Sequence, residues 1–183
     1  MYAACPFCDI MNKIWSERKK SMRRKNREVT QFDRIREIID GVKVARLGMN
    51  DNGKVYVVPM NYGYETGESK ELVFYFHCAK VGRKIDVLKE NPQVCLELDG
   101  CHELLSAEVP CAYSYYFASL IGNGEVEFVE DMKEKEHALS IIMKHQTGKD
   151  FRIFDEKLLD AVCILKIRLK EYEVKEHRNT ENL

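Results

Sequence analysis

The sequence predicts a mainly β fold, a small barrel of roughly five to seven mostly antiparallel strands decorated by three short helices. Two patterns support this. Short segments of alternating or continuous apolar residues are bounded by Gly, Asn and Pro, and helical periodicities are few and brief. The first element is a helix from Phe32 to Asp40, with Phe32, Ile35, Ile38 and Ile39 on one face and Gly41 as its stop. Val42 to Met49 and Lys54 to Tyr64 then read as strands joined across Asp51-Asn52-Gly53, since Asn-Gly tolerates the positive φ angles of a tight hairpin. A second hairpin, with its loop at Glu65 to Lys70, leads into Leu72-Val73-Phe74-Tyr75-Phe76. That run is apolar on both faces, as a central strand covered on both sides must be.

Beyond His77 the period changes. Gly82 to Glu90 suits a short helix ended by Asn91-Pro92, and Val94 to Leu98 returns to strand. Ser119 to Glu130 is another strand, in which Gly122 and Gly124 signal a bulge or a close backbone approach. Met132 to His145 is helical, with Leu139, Ile142 and Met143 on its apolar face and Gly148 just past its end. Val162 to Val174 reads as one last alternating strand.

A chain of 183 residues fits a single domain, here placed at 32–178, with 1–31 as an appended extension and 179–183 as a tail. Met22, followed by Arg23-Arg24-Lys25, offers an alternative start, which intact mass of natively expressed protein would decide. The formal net charge is −1, so the overall field gives no reason to expect a nucleic-acid partner. Neither an apolar run long enough to cross a membrane nor a secretory leader is evident, and a cytoplasmic protein is expected. Seven scattered cysteines, several inside apolar segments, fit free thiols better than a disulfide framework. Cys5-Pro6-Phe7-Cys8 has redox or zinc spacing, but no second ligand pair completes a metal set and no metal site is expected. The tract Arg18-Lys19-Lys20 to Arg23-Arg24-Lys25 has few interleaved aromatics and reads as a solvated segment. His102, His137, His145 and His177 read as surface residues.

Phe74 to Leu88 carries the most chemistry, because a buried strand empties into a basic turn that opens a helix. Helix N-termini present unpaired N–H groups and partial positive charge, which favour phosphate. Lys80, Arg83 and Lys84 add full charges there, and Gly82 permits close backbone approach. Cations at a helix start are unfavourable unless an anion offsets them, so either a solvated first turn or an anion site is consistent with this spacing.

Three segments stand in order: Val57-Val58-Pro59-Met60-Asn61-Tyr62-Gly63-Tyr64, then Phe76 to Leu88 with Asn91-Pro92-Gln93-Val94, then Ser119 to Asp131. Together they resemble the nitroimidazole-resistance family of the flavin-binding split-barrel superfamily that includes pyridoxamine 5'-phosphate oxidase. The resemblance covers about residues 30–175 and implies an antiparallel, Greek-key-like split barrel, a homodimer with FMN at the subunit interface, and FAD as the alternative flavin. It implies that Val58, Pro59, Met60 and Asn61 line the flavin ring, largely through backbone groups. By the same likeness, Cys78, Gly82, Arg83 and Lys84 surround the phosphate, with Ala79 and Lys80 among the cofactor-binding residues of the same run. His77 matches the histidine beside the flavin, where it would hydrogen-bond a small-molecule acceptor or give it a proton. The chain departs from the pattern at Cys78, where a small hydroxyl residue is common, and a thiol is a poorer donor to phosphate. Tyr113, Tyr115, Tyr116 and Phe117 read as core or interface packing, with a wall of a partner's flavin pocket as the sharper reading.

The activity implied is flavin-dependent reduction of a nitroaromatic or similar planar acceptor. Flavin binding without a dedicated substrate is the alternative. A pyridoxine-phosphate oxidase ranks below both, because the ending Lys170 to Arg178 has no tryptophan, the only one being Trp15.

Overall fold

β1 (Val44–Asp51) and β2 (Lys54–Asn61) form the expected hairpin. Asn52 and Gly53 take φ of 50° and 86°, and the Asn50 side-chain oxygen accepts the Gly53 N–H at 2.7 Å. The computed structural model describes residues 22, 24–151 and 155–178. The Cys5/Cys8 pair, most of the basic tract and the 179–183 tail lie outside the described residues.

The remaining strands are β3 (Gly63–Thr66), β4 (Leu72–Ala79), β5 (Gln93–Leu105), β6 (Ser114–Val129), β7 (Val162–Leu169) and β8 (Tyr172–His177). Four helices accompany them: α1 (Phe32–Gly41), α2 (Arg83–Glu90), α3 (Met132–Thr147) and α4 (Glu156–Ala161). All strand pairs are antiparallel, in the order β2-β1-β5-β6-β7-β4-β3, with β8 also on β6. Over Phe117 to Gly122, β6 lies between β5 and β8, and from Val126 to Val129 it pairs with β7. One strand thus belongs to both parts of the barrel.

The main core fills the barrel with Leu47, Leu96, Leu98, Leu120, Phe74, Phe76 and Ile167, joined by Ile35, Ile38 and Ile39 of α1. A smaller cluster, with Val73, Tyr75 and Ile164 on one side and Ala138 and Ile142 on the other, fixes α3 to the outer face of β4 and β7. β4 is therefore covered on both faces, as its unbroken apolar run predicts.

Several boundaries differ from the sequence expectation. The strand expected over 54–64 breaks at Tyr62, whose ring is fully buried and whose hydroxyl lies 2.9 Å from both the Ile39 and Val42 carbonyls at the end of α1. Beyond it the chain leaves β1 for β4. The strand expected over 162–174 is two strands, because the chain reverses at Lys170 and Glu171 while the alternation carries on through the turn. The bulge lies between Gly100 and Glu103, whereas Gly122 and Gly124 mark close approach: a Cβ there would sit 2.8 Å from Leu169 and Ile167 side chains. β5 and β6 extend beyond the core as a ribbon exposed over Cys101 to Leu104, so no apolar pattern announces it. The short α4, capped by the Asp155 carboxylate, was not expected.

His145 is not a surface residue. Its ring is half-buried, stacks on Tyr62 at 4.6 Å between centroids, and places Nε2 2.9 Å from the Val42 carbonyl. Burial pushes its pKa below the ordinary 6.5, outweighing the bond to Val42. The unfolded chain therefore takes up this proton first on acidification, so the stability contribution is complete above pH 6.5 and is lost as pH falls below it. Denaturant midpoints of the wild type and His145→Gln are expected to converge as pH is lowered through this range. Parallel curves would refute the assignment.

Candidate functional site

The end of β4 and the start of α2 assemble the basic turn. Gly82 is the residue before the helix, with φ 126° and ψ 165°, a conformation that L side chains avoid, and it has no side-chain cap. Its carbonyl accepts the Ile85 and Asp86 N–H groups at 2.8 and 3.2 Å, so the Arg83 and Lys84 N–H groups have no partner inside the helix.

The β1–β2 hairpin lies against this turn. Arg83 donates from Nε and Nη2 to Asp51 Oδ2 at 2.9 and 2.7 Å, and its guanidinium sits 4.1 Å from the Tyr56 ring centroid. The anion that offsets this cation is thus a carboxylate of the chain itself. Two of the guanidinium N–H groups are used there, and the fork retains others for a second acceptor. Lys84 differs, because its only polar contact among the described residues is the Met60 sulfur at 3.3 Å, a weak acceptor. An ammonium so placed, on a helix start whose first two N–H groups have no partner inside the helix, is suited to an anion.

The other expected residues are distributed around this centre. Met60 is buried and Val58 half-buried, while Pro59 and Asn61 are exposed on the same strand. The Asn61 side chain is committed elsewhere, to the Lys43 carbonyl and Gln146, which leaves its backbone as the group β2 can present. Lys80 is drawn toward α4, pairing with Asp160 at 3.1 Å. His77 and Ala79 are exposed at the end of β4, and the His77 ring makes no hydrogen bond among the described residues. Cys78 is half-buried opposite Cys163 of β7. Tyr116 and Phe117 lie in the first part of β6 and pack on His177 of β8, with Tyr113 and Tyr115 about half exposed. Asp51, Tyr56 and Asp160 escaped sequence reasoning, because only the register of the hairpin and the unforeseen α4 bring them to the turn.

On one chain this centre is open to solvent: the Arg83 side chain is 59% exposed, and His77, Ala79 and Lys80 are exposed. A groove of about 770 Å³ lies instead between the C-terminal ends of α1 and α3, lined by Asp40, Lys43, Tyr64 and His145 among others, and none of the expected site residues borders it. The groove lacks the chemistry of the turn, since the Lys43 ammonium already fills the convergence of the two helix ends, bonded to the Asp40 and His145 carbonyls. The outer face of the strands joined through β1 and β5 exposes Val55, Val57 and Ile121 at 86%, 51% and 50%, with the ion pairs of Arg46 to Glu97 and Asp99 between them.

Residues 31–176 match the pyridoxamine 5'-phosphate oxidase family. Among solved structures, a candidate 5-nitroimidazole antibiotic resistance protein from Bacteroides thetaiotaomicron VPI-5482 is 35% identical, with a TM-score of 0.71, over 81% of this chain and 86% of that one. A flavocytochrome from Azotobacter vinelandii shares the fold at 20% identity and TM-score 0.72, over 89% of this chain and 75% of its own. An FAD and heme binding protein from Mycobacterium smegmatis does so at 18% and 0.70, over 84% and 74%. No curated protein matches. No helix among the described residues is long and apolar enough to cross a membrane.

Proposed function

Because this chain belongs to the pyridoxamine 5'-phosphate oxidase family, we propose that it holds a flavin, FMN or the larger FAD, by its phosphate at the start of α2 and uses it to reduce a small planar acceptor such as a nitroaromatic. The observation that carries this reading is the Lys84 ammonium, which lacks a carboxylate among the described residues and belongs to a helix start whose Arg83 and Lys84 N–H groups have no partner inside the helix. The residues present fit a phosphate. A helix start supplies N–H donors, Gly82 opens the backbone, and Arg83 has donors left after Asp51. A bound flavin supplies the electron transfer, and the chain supplies position and electrostatics. The β2 backbone from Val58 to Asn61 orients the ring, while Cys78, Ala79 and Lys80 form the entry to the turn. His77, exposed and with no hydrogen bond to its ring among the described residues, hydrogen-bonds the acceptor and delivers a proton to it.

A second copy of the chain completes the site. A centre open to solvent does not exclude water from a reacting ring, and the exposed Val55, Val57 and Ile121 give a twin apolar side chains to cover. Tyr113, just before β6, and Tyr115, at its start, are about half exposed and are the aromatics available to wall the partner's site.

The test is direct. Purified protein is expected to be a yellow homodimer whose released flavin is identified by mass. Its reduced flavin, mixed anaerobically with a nitroimidazole, is expected to reoxidise at least tenfold faster than free reduced flavin, a gain of the size acid catalysis and positioning give. Colour without accelerated reoxidation would leave a flavin carrier, and a protein that takes up no flavin would end the proposal.

A further inference from the structure

Two thiols face each other across the barrel wall. Cys78, near the end of β4, is the register partner of Cys163, near the start of β7. Directly opposed residues of an antiparallel pair stand about 4.5 or 5.5 Å apart at Cα, depending on their place in the ladder, and both spacings fall within the range a disulfide spans. No other two cysteines among the described residues are register partners. Cys95 faces Gly48 and Asn123, and Cys101 and Cys111 are exposed without a cysteine opposite.

The surroundings suit a small oxidant. Both thiols are half-buried and pack against the main core, so access favours a molecule of hydroperoxide size. Lys135 of α3, only 4% exposed and the one buried charged residue among those described, exerts its field on Cys163. Burial and the neighbouring Cys78 still hold the Cys163 thiol up, at about 11, which disfavours its thiolate.

We propose that Cys78 and Cys163 form a redox modification site, a dithiol that hydrogen peroxide converts reversibly into a disulfide stapling β4 to β7. The Cys78 thiolate attacks one peroxide oxygen, breaking the O–O bond and leaving a sulfenic acid and, after protonation, water. The Cys163 thiolate then displaces the sulfenic hydroxyl as a second water, forming the S–S bond. Two thiols lose two electrons and two protons, and one peroxide becomes two waters. The site goes beyond the flavin reading and does not depend on it, although a reduced flavin exposed to dioxygen is a ready source of peroxide.

The full chain, with or without flavin, is treated with dilute hydrogen peroxide, alkylated, and mapped by mass under non-reducing conditions. Expected is a loss of two hydrogens located to a Cys78–Cys163 cross-link and reversed by dithiothreitol. In Cys163→Ser the cross-link is replaced by a sulfenic acid on Cys78 that a dimedone-type probe traps. Full alkylation of both cysteines in the wild type after treatment, or a disulfide confined to Cys5 and Cys8, overturns the proposal. The wild-type map decides even where the variant fails to fold.

Discussion

Replacing Arg83 and Lys84 together by alanine is expected to strip the folded protein of its flavin, raising the dissociation constant by about a hundredfold or more. The two side chains are not expected to contribute equally. A charge-assisted hydrogen bond stabilises by about 1.5–3 kcal/mol, roughly ten- to a hundredfold in affinity. Arg83 already holds Asp51 through two donors, so a phosphate arriving there shares a guanidinium that is partly spent and meets a nearby carboxylate. Lys84 gives up only a sulfur contact. Lys84→Ala alone is therefore expected to cost more affinity than Arg83→Ala, and Asp51→Asn to tighten binding. Flavin fluorescence titration of the apoprotein measures all four variants. A double variant that keeps full occupancy would remove the phosphate site, and with it the functional assignment. Equal losses from the two single variants would show instead that Asp51 does not hold Arg83 in solution.

The largest expected effect on stability comes from a residue with no part in chemistry. A Cβ at Gly63 would lie 2.5 Å from backbone atoms of Ile141 and Ile142, and backbone, unlike a side-chain tip, cannot turn aside. Gly63→Ala must push α3 off the start of β3, at a cost of about 3 kcal/mol, or roughly 10 °C in melting temperature. Gly41→Ala is the matched control, because nothing stands within 4 Å of a Cβ there and its φ is ordinary for an L residue. That change is expected to stay within about 0.5 kcal/mol. Similar melting of the two variants would mean that α3 does not pack on β3 as described.

The contrast between these glycines shows what a single sequence can and cannot convey. Asn52-Gly53 was legible because a two-residue hairpin makes its demand locally, and Gly82 because a basic helix start follows it directly. Gly63 was not, since what it must clear lies on a helix nearly eighty residues further along the chain. The same division runs through the site. The cluster of Gly82, Arg83 and Lys84 could be read from adjacency and from family resemblance. Asp51 and Tyr56 could not, because only strand register turns the β1–β2 hairpin onto the turn. The strand breaks at Tyr62 and at Lys170-Glu171 were invisible for a related reason: alternation reports which face a side chain takes and is silent about which neighbour its strand has chosen. His145 was misjudged because polar neighbours in sequence do not reveal a tyrosine ring stacked from another element.

The long β6 has a consequence for how the molecule comes apart. Its middle is flanked on both edges, by β5 and β8, and its end by β7. The two portions of the wall are thus tied to successive stretches of one continuous strand. Amide hydrogens along its inner length can meet solvent deuterium only when the whole domain opens, whereas those on the free margins of β2 and β3 can exchange through local fraying.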